Sequence, residues 1–283
     1  MAGTDGAVTA EDDDALYVLT AALLTPANFP SALGDDYPEA CSALDLAPLA
    51  DGYGLVMGQD SDGARWTVVI DDVSLVAVAI ASWDCGMEYD LSPDEDSVVA
   101  ALPGWPLAVA VAAPGVPAPH DPAPEVAERL PLTPPDTSTW GPAQRRLGAD
   151  EIALQWTTWR EQIDDDAFVR RAGEDSGDRP SPEASAGAES GEGGLRAGIR
   201  RVLAEVRAYV DSPPPLGRVR SSFAPGDART LRADGPGWSM VARTDDIAFV
   251  LLDDEPGEVL PVGRGPELPG LLESLDKIAV RPN

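Results

Sequence analysis

The residues that most often carry catalysis are scarce in this chain: one histidine, two cysteines and one lysine, Lys277. Ser-His-Asp and Cys-His chemistry need an imidazole held rigidly beside a nucleophile. His120 instead stands in Pro117-Ala118-Pro119-His120-Asp121-Pro122, which reads as a solvated linker residue. A single histidine also rules out zinc sites built on two. Cys41 and Cys85 lie 44 residues apart and form no Cys-x-x-Cys pair. Both fit buried small side chains, with thiol reactivity left open for Cys85 in Trp83-Asp84-Cys85-Gly86. No phosphate-binding Gly-x-x-x-x-Gly-Lys-Ser/Thr loop is present, because no glycine loop precedes Lys277. Gly263-Arg264-Gly265 superficially suggests a dinucleotide loop, but Leu268 stands where the third glycine belongs. The expected cofactor and metal content is none.

Carboxylate pairs could bind Mg2+ or share acid–base work. Asp71/Asp72 and Asp245/Asp246 read more simply as hairpin turns, Asp12 to Asp14 as a helix N-terminus, and Asp164 to Asp166 as a solvated helix face. Asp60-Ser61-Asp62-Gly63 is too short for a calcium loop. The remaining candidates concern partner binding. Trp156 and Trp159 share one face of an expected helix, where core packing competes with a partner groove. Arg196, Arg200 and Arg207 fall on the outer face of another.

These residues sit in a chain of 283 residues with 49 Asp+Glu against 20 Lys+Arg, a formal net charge of -29. Residues 1 to 100 hold twenty acidic residues and one basic residue, Arg65, a field that repels phosphate backbones and anionic membranes. Residues 195 to 243 reverse the balance, with nine Arg against Glu205, Asp211, Asp227 and Asp234. Mutual attraction of the two halves, or self-association, is the expected use of that Arg face. No apolar run is long enough to span a bilayer, and the acidic start does not read as a signal peptide. The expected compartment is the cytoplasm.

The expected fold class is α+β: two small units, each an antiparallel β-meander flanked by helices. A flexible tail (1–9) precedes an acidic N-terminal unit (10–112). A Pro-rich linker follows (113–148), with nine prolines between Pro114 and Pro142. Then come a helix (149–172), a disordered Gly/Ser/Glu segment (173–194) and a C-terminal unit (195–283). In the first unit the pattern predicts a helix from Ala10 to Leu24, strands at Tyr53–Gly58, Arg65–Ile70 and Val73–Trp83, a short helix from Ser92 to Leu102, and a strand at Trp105–Ala112. Leu195, Ile199, Val202, Leu203 and Val206 mark the cleanest helix. Strands follow at Thr230–Arg232, Trp238–Ala242, Ile247–Leu252 and Glu258–Val262, then a last helix from Pro266.

Trp66-Thr67-Val68-Val69 with Asp71-Asp72-Val73 resembles Trp238-Ser239-Met240-Val241 with Asp245-Asp246-Ile247, as if the chain were an internal duplication. The layout is similar to that of secretion-chaperone-like folds, small acidic α+β domains that pair and hold other proteins. The similarity lies in layout and charge. The lack of a catalytic constellation, the large charge and the two flexible segments point to a non-enzymatic interaction protein, chaperone-like or regulatory, with a protein as partner. The alternatives are a carboxylate-based enzyme and a nucleic-acid-associated regulator using the 196–243 arginines.

Overall fold

The structure is a computed structural model that describes residues 16–76, 78, 81, 85, 94–106, 117–136, 138–163 and 189–282. It is α+β, with two antiparallel sheets in two compact units. One unit is Met1–Thr25 with Leu49–Pro135. The other is Pro26–Pro48 with Asp136–Asn283. The chain thus leaves the first unit after Thr25, contributes 26–48 to the second, and returns.

The first sheet runs β1 (Tyr17–Leu24), β2 (Tyr53–Gln59), β3 (Arg65–Ile70), β4 (Val98–Pro103), in that order. β1 corrects the expected helix from Ala10 to Leu24, of which residues 10 to 15 lie outside the described residues. Leucines at helical spacing were the signal, but Tyr-Val-Leu-Thr suits a pleated surface and β2 offers seven paired residues. β2 is buried along its whole length, so both faces of this strand are covered. On one face Val56, Val68 and Ile70 pack with Val18, Ala21 and Leu75.

The expected strand Val73–Trp83 is also corrected: Ser74 to Val76, Val78 and Ala81 are helical, and residues 77, 79, 80, 82 and 83 lie outside the described residues. Asp72 caps this turn by accepting the Ser74 N–H at 2.9 Å. Val76 is buried against Gly54, where an added Cβ would meet it at 2.7 Å. A continuous apolar run does not distinguish a strand from a buried helix. Of the helix expected from Ser92 to Leu102, Ser92 and Pro93 lie outside the described residues, Glu95–Ser97 form a 3-10 turn, and β4 follows from Val98, where Val98 and Val99 favour extension. Of the expected strand Trp105–Ala112 only Trp105 and Pro106 are described. Trp105 is buried outside any strand and donates its indole N–H to Gly58 O at 2.9 Å.

Of the Pro-rich linker expected over 113–148, residues 113 to 116 and 137 lie outside the described residues, Pro142 to Gly148 are helical instead, and 117–135 return to the first sheet. His120 exchanges backbone bonds with Gly63 and Arg65, and Leu132 donates to Pro103 O.

In the second unit, α1 (Tyr37–Ala43) starts at Asp36, whose side chain accepts the Glu39 N–H. α2 (Pro142–Leu154) and α3 (Trp156–Glu161) replace the single helix expected over 149–172, with the break at Gln155; residues 164 to 172 lie outside the described residues. α4 (Glu189–Asp211) begins inside the segment expected to be disordered over 173–194, whose residues 173 to 188 lie outside the described residues. The second sheet runs β5 (Val219–Phe223), β6 (Arg229–Gly235), β7 (Trp238–Arg243), β8 (Ala248–Leu252), β9 (Leu260–Val262), followed by α5 (Leu268–Ile278). β5 was not expected. Pro236-Gly237, with Gly237 at φ +76°, forms the tight β6–β7 turn.

Strand alternation gives this sheet two faces. Leu231, Ala233, Trp238, Met240, Val250 and Leu252 face α4 and α5, where Val202, Val206, Leu271, Leu272 and Leu275 complete an apolar core. Val241, Phe249 and Leu251 face α2 and α3, against Ala149, Ile152 and Trp156. Trp66 and Trp238 each lie on the third strand of their sheets, after a hairpin turn. The correspondence stops after Asp72, which leads into a helical turn, whereas Asp246 leads almost directly into β8.

Candidate functional site

The α2-facing side of the second sheet is apolar only over β7 and β8. Over β5, β6 and the start of β7 the same alternation places Arg220, Arg232, Asp234 and Ser239, all buried. α2 adds Arg145 and Arg146, which are 0% and 1% exposed. Asp234 is the hub. Its carboxylate meets Arg146 Nη1 at 2.8 Å, Arg220 Nη2 at 3.2 Å and Arg232 Nη2 at 3.7 Å, and accepts the Ser239 hydroxyl at 2.7 Å. Arg145 donates to Ser239 Oγ and to Asp253, and its Nη2 spans both Asp35 oxygens at 3.1 and 3.2 Å. Arg232 also pairs with Asp150, which accepts from Ser31.

The 26–48 segment covers this cluster. Phe29 lies under the guanidinium of Arg220 at 4.5 Å and that of Arg146 at 5.4 Å. Arg146 also donates to the Asp35 carbonyl, and Asp36 pairs with Arg218 at 3.0 Å. Gly217, at φ +85°, leaves no room for a side chain: a Cβ there would stand 3.0 Å from Phe29, Pro26 O and Tyr37. Burial alone would raise the Asp234 carboxyl, but Arg146, Arg232, Arg220 and the Ser239 hydroxyl hold it well below the usual carboxylate range. Burial pushes Asp35 up, against the pull of Arg145 and Arg146. Burial, with repulsion from Arg232, lowers Arg220 to about 10. A carboxylate held so low is a poor base, and Ser239 donates its proton to it while accepting from Arg145. The cluster therefore acts on the fold: it ties the α2 face, the sheet and the 26–48 segment together.

A second feature faces solvent. The α2–α3 break and the end of β5 form the walls of a groove of about 400 Å3. Trp156, Thr230 and Arg243 also line it, and its rim carries Leu154 and Phe223, which are 86% and 85% exposed. Arg229 stacks on Phe223 at 4.8 Å.

The residues singled out in the sequence are dispersed. Trp156 is buried, edge-on to Phe249 at 5.2 Å, and Trp159 is half-buried in the same cluster. Arg196, Arg200 and Arg207 are exposed on α4; Arg207 pairs with Glu267 at 2.8 Å beside a groove of about 350 Å3 formed with the Gly263-Arg264-Gly265 loop. His120 is exposed; Cys41 is buried and Cys85 exposed. Asp72 caps a turn, Asp245 pairs with Arg243, and Asp246 holds Arg160. Asp60 accepts from Asp62, Ala64 and Trp66. Asp12 to Asp14 and Asp164 to Asp166 lie outside the described residues.

The charged cluster was missed in the sequence. Its one signal is the alternation of Leu231 and Ala233 with Arg232 and Asp234, which reads equally as a strand with a solvated face. Among the described residues no group of three His, Cys, Asp or Glu is placed to hold a metal, and no helix is long and apolar enough to cross a membrane. No protein-family model matches the chain, and no curated protein or solved structure matches it.

Proposed function

We propose that the chain is a non-enzymatic interaction protein that holds another protein through the groove between the α2–α3 break and the end of β5. The supporting observation is the pair Leu154 and Phe223, two large apolar side chains left in water on either wall of a groove sized for one or two apolar side chains. Scattered exposed apolar residues are ordinary, but two framing one concavity mark a contact surface. Trp156 forms the floor rather than the contact, since its ring is committed to Phe249. The partner is a protein segment that brings an apolar side chain into the groove. Descent of the two sheets from one duplicated unit belongs to the same proposal; the equivalent places of Trp66 and Trp238 support it, and the unlike segments after Asp72 and Asp246 weigh against it.

The test is crosslinking in the native cell from a photoreactive residue at position 157, with and without Leu154→Ser and Phe223→Ser. A discrete crosslinked protein that disappears in the double variant supports the reading. Identical crosslinks in the double variant, with the fold intact by circular dichroism, refute it.

A further inference from the structure

Among the described residues the two sheets have four edges, and three are guarded. A sheet edge exposes unpaired N–H and C=O groups, and proteins blunt it with prolines, bulges, short strands or a covering segment. β9 is three residues long with Pro261 at its centre. β5 is covered where Val280 accepts from Ser221 and donates to Val219. β4 carries a bulge near Val98, ends at Pro103, has the Pro103 carbonyl taken by Leu132, and follows the acidic turn Glu95–Ser97.

β1 has little of this. It is eight residues long with no charge and no proline, and its single irregularity lies between Val18 and Thr20. From Thr20 to Leu24 it pairs regularly with β2, and Thr20 to Leu23 are half-exposed. Among the described residues no hydrogen-bond partner reaches its outer edge.

We propose that the outer edge of β1, over Thr20–Leu24, takes an extended segment of another protein as an added strand. Strand addition draws affinity from main-chain bonds and so fits an edge with small and apolar side chains. Charge selects the partner. By sequence, residues 1–25 and 49–135 hold nineteen Asp+Glu against Arg65 and Arg129. That field repels a second copy of this chain and attracts a segment flanked by basic residues. The strand shares no residue with the groove of the proposed function.

The probe is the synthetic peptide RTVTVTVR, measured on the full chain by fluorescence anisotropy and amide hydrogen exchange. Saturable binding that slows exchange at Thr20–Leu24, and that weakens about tenfold or more on N-methylation of alternate peptide amides, supports the proposal. The acidic peptide ETVTVTVE binds more weakly still, and binding of the basic peptide falls as salt rises. Thr20→Pro interrupts the strand, since proline has no backbone N–H and is poorly tolerated in a regular ladder; Thr20→Lys, which keeps the backbone intact, guards the edge with a charge should the first variant misfold. Each weakens binding, while Leu154→Ser with Phe223→Ser leaves it unchanged. Three results overturn the proposal: no binding, equal binding of the N-methylated peptide, or protection of β1 that grows with protein concentration without peptide, which would make the occupant a second copy.

Discussion

The two faces of the second sheet come from alternate residues of the same strands, yet they are buried by different means. The face under α4 and α5 is apolar throughout, from Leu231 and Ala233 to Val250 and Leu252. The face under α2 is apolar only at Val241, Phe249 and Leu251, and its other half is an arginine–aspartate network around Asp234. Apolar burial is non-directional and tolerates local repacking. A buried ion network adds little net stability over apolar packing, but losing one member leaves charges stranded. The network specifies which segment lies on the sheet: Phe29, Asp35 and Asp36 fit because guanidinium groups stand beneath them. Fold specificity, rather than strength, is the expected contribution of the charged half.

The sharpest way to break this contrast is Asp234→Ala. It strands Arg146, Arg220 and Arg232, and the expected loss is about 3–5 kcal/mol of stability in urea denaturation. Combining it with Arg146→Met, Arg220→Met and Arg232→Met is expected to recover much of that loss; if the fourfold variant is less stable than the single one, the network contributes more than specificity.

On the apolar face, Leu272→Ala removes a side chain that is 1% exposed and is expected to cost about 3 kcal/mol. Its effect should be the same at pH 7 and pH 4. The two faces part company in acid. The folded Asp234 carboxyl titrates below its unfolded value, so its contribution is complete above about pH 4 and is lost as pH falls further. Asp35 is raised and works in the opposite sense, since protonation in mild acid relieves the cost of burying its charge. Thermal melting should therefore hold between about pH 6 and 4 and drop below it. Asp234→Asn should remove most of that drop; an unchanged acid limb would move its origin elsewhere.

The smallest effect is expected outside both faces. Arg207 and Glu267 form an exposed pair, so Arg207→Ala should change stability by no more than about 1 kcal/mol, less at high salt.

How much was legible in the residues varies with the kind of signal. The stripes of α4 and α5 are periodic, and Val202, Val206, Leu268, Leu271, Leu272 and Leu275 are buried as the spacing predicts. β2, β3, β7 and β8 stand within a residue of their expected places because turn residues bound them. Leu16 to Leu24 and Val73 to Val76 were exchanged, strand for helix and helix for strand. In both, apolar content was clear but the partner that decides its conformation, β2 or Gly54, is distant in sequence.

Charge, the absence of a histidine-centred or phosphate-loop motif, and the turn-bounded strands were fixed by composition and local pattern alone, because each depends on residues close together in the chain. Three things were decided only in the folded molecule. Residues 26–48 belong with Asp136–Asn283. Arg145, Arg146, Arg220 and Arg232 are buried rather than solvated. Leu154 and Phe223 are exposed rather than core. Each is a matter of which segment covers which face, and burial of an arginine becomes affordable only when distant carboxylates, such as Asp35, 110 residues from Arg145, converge on it.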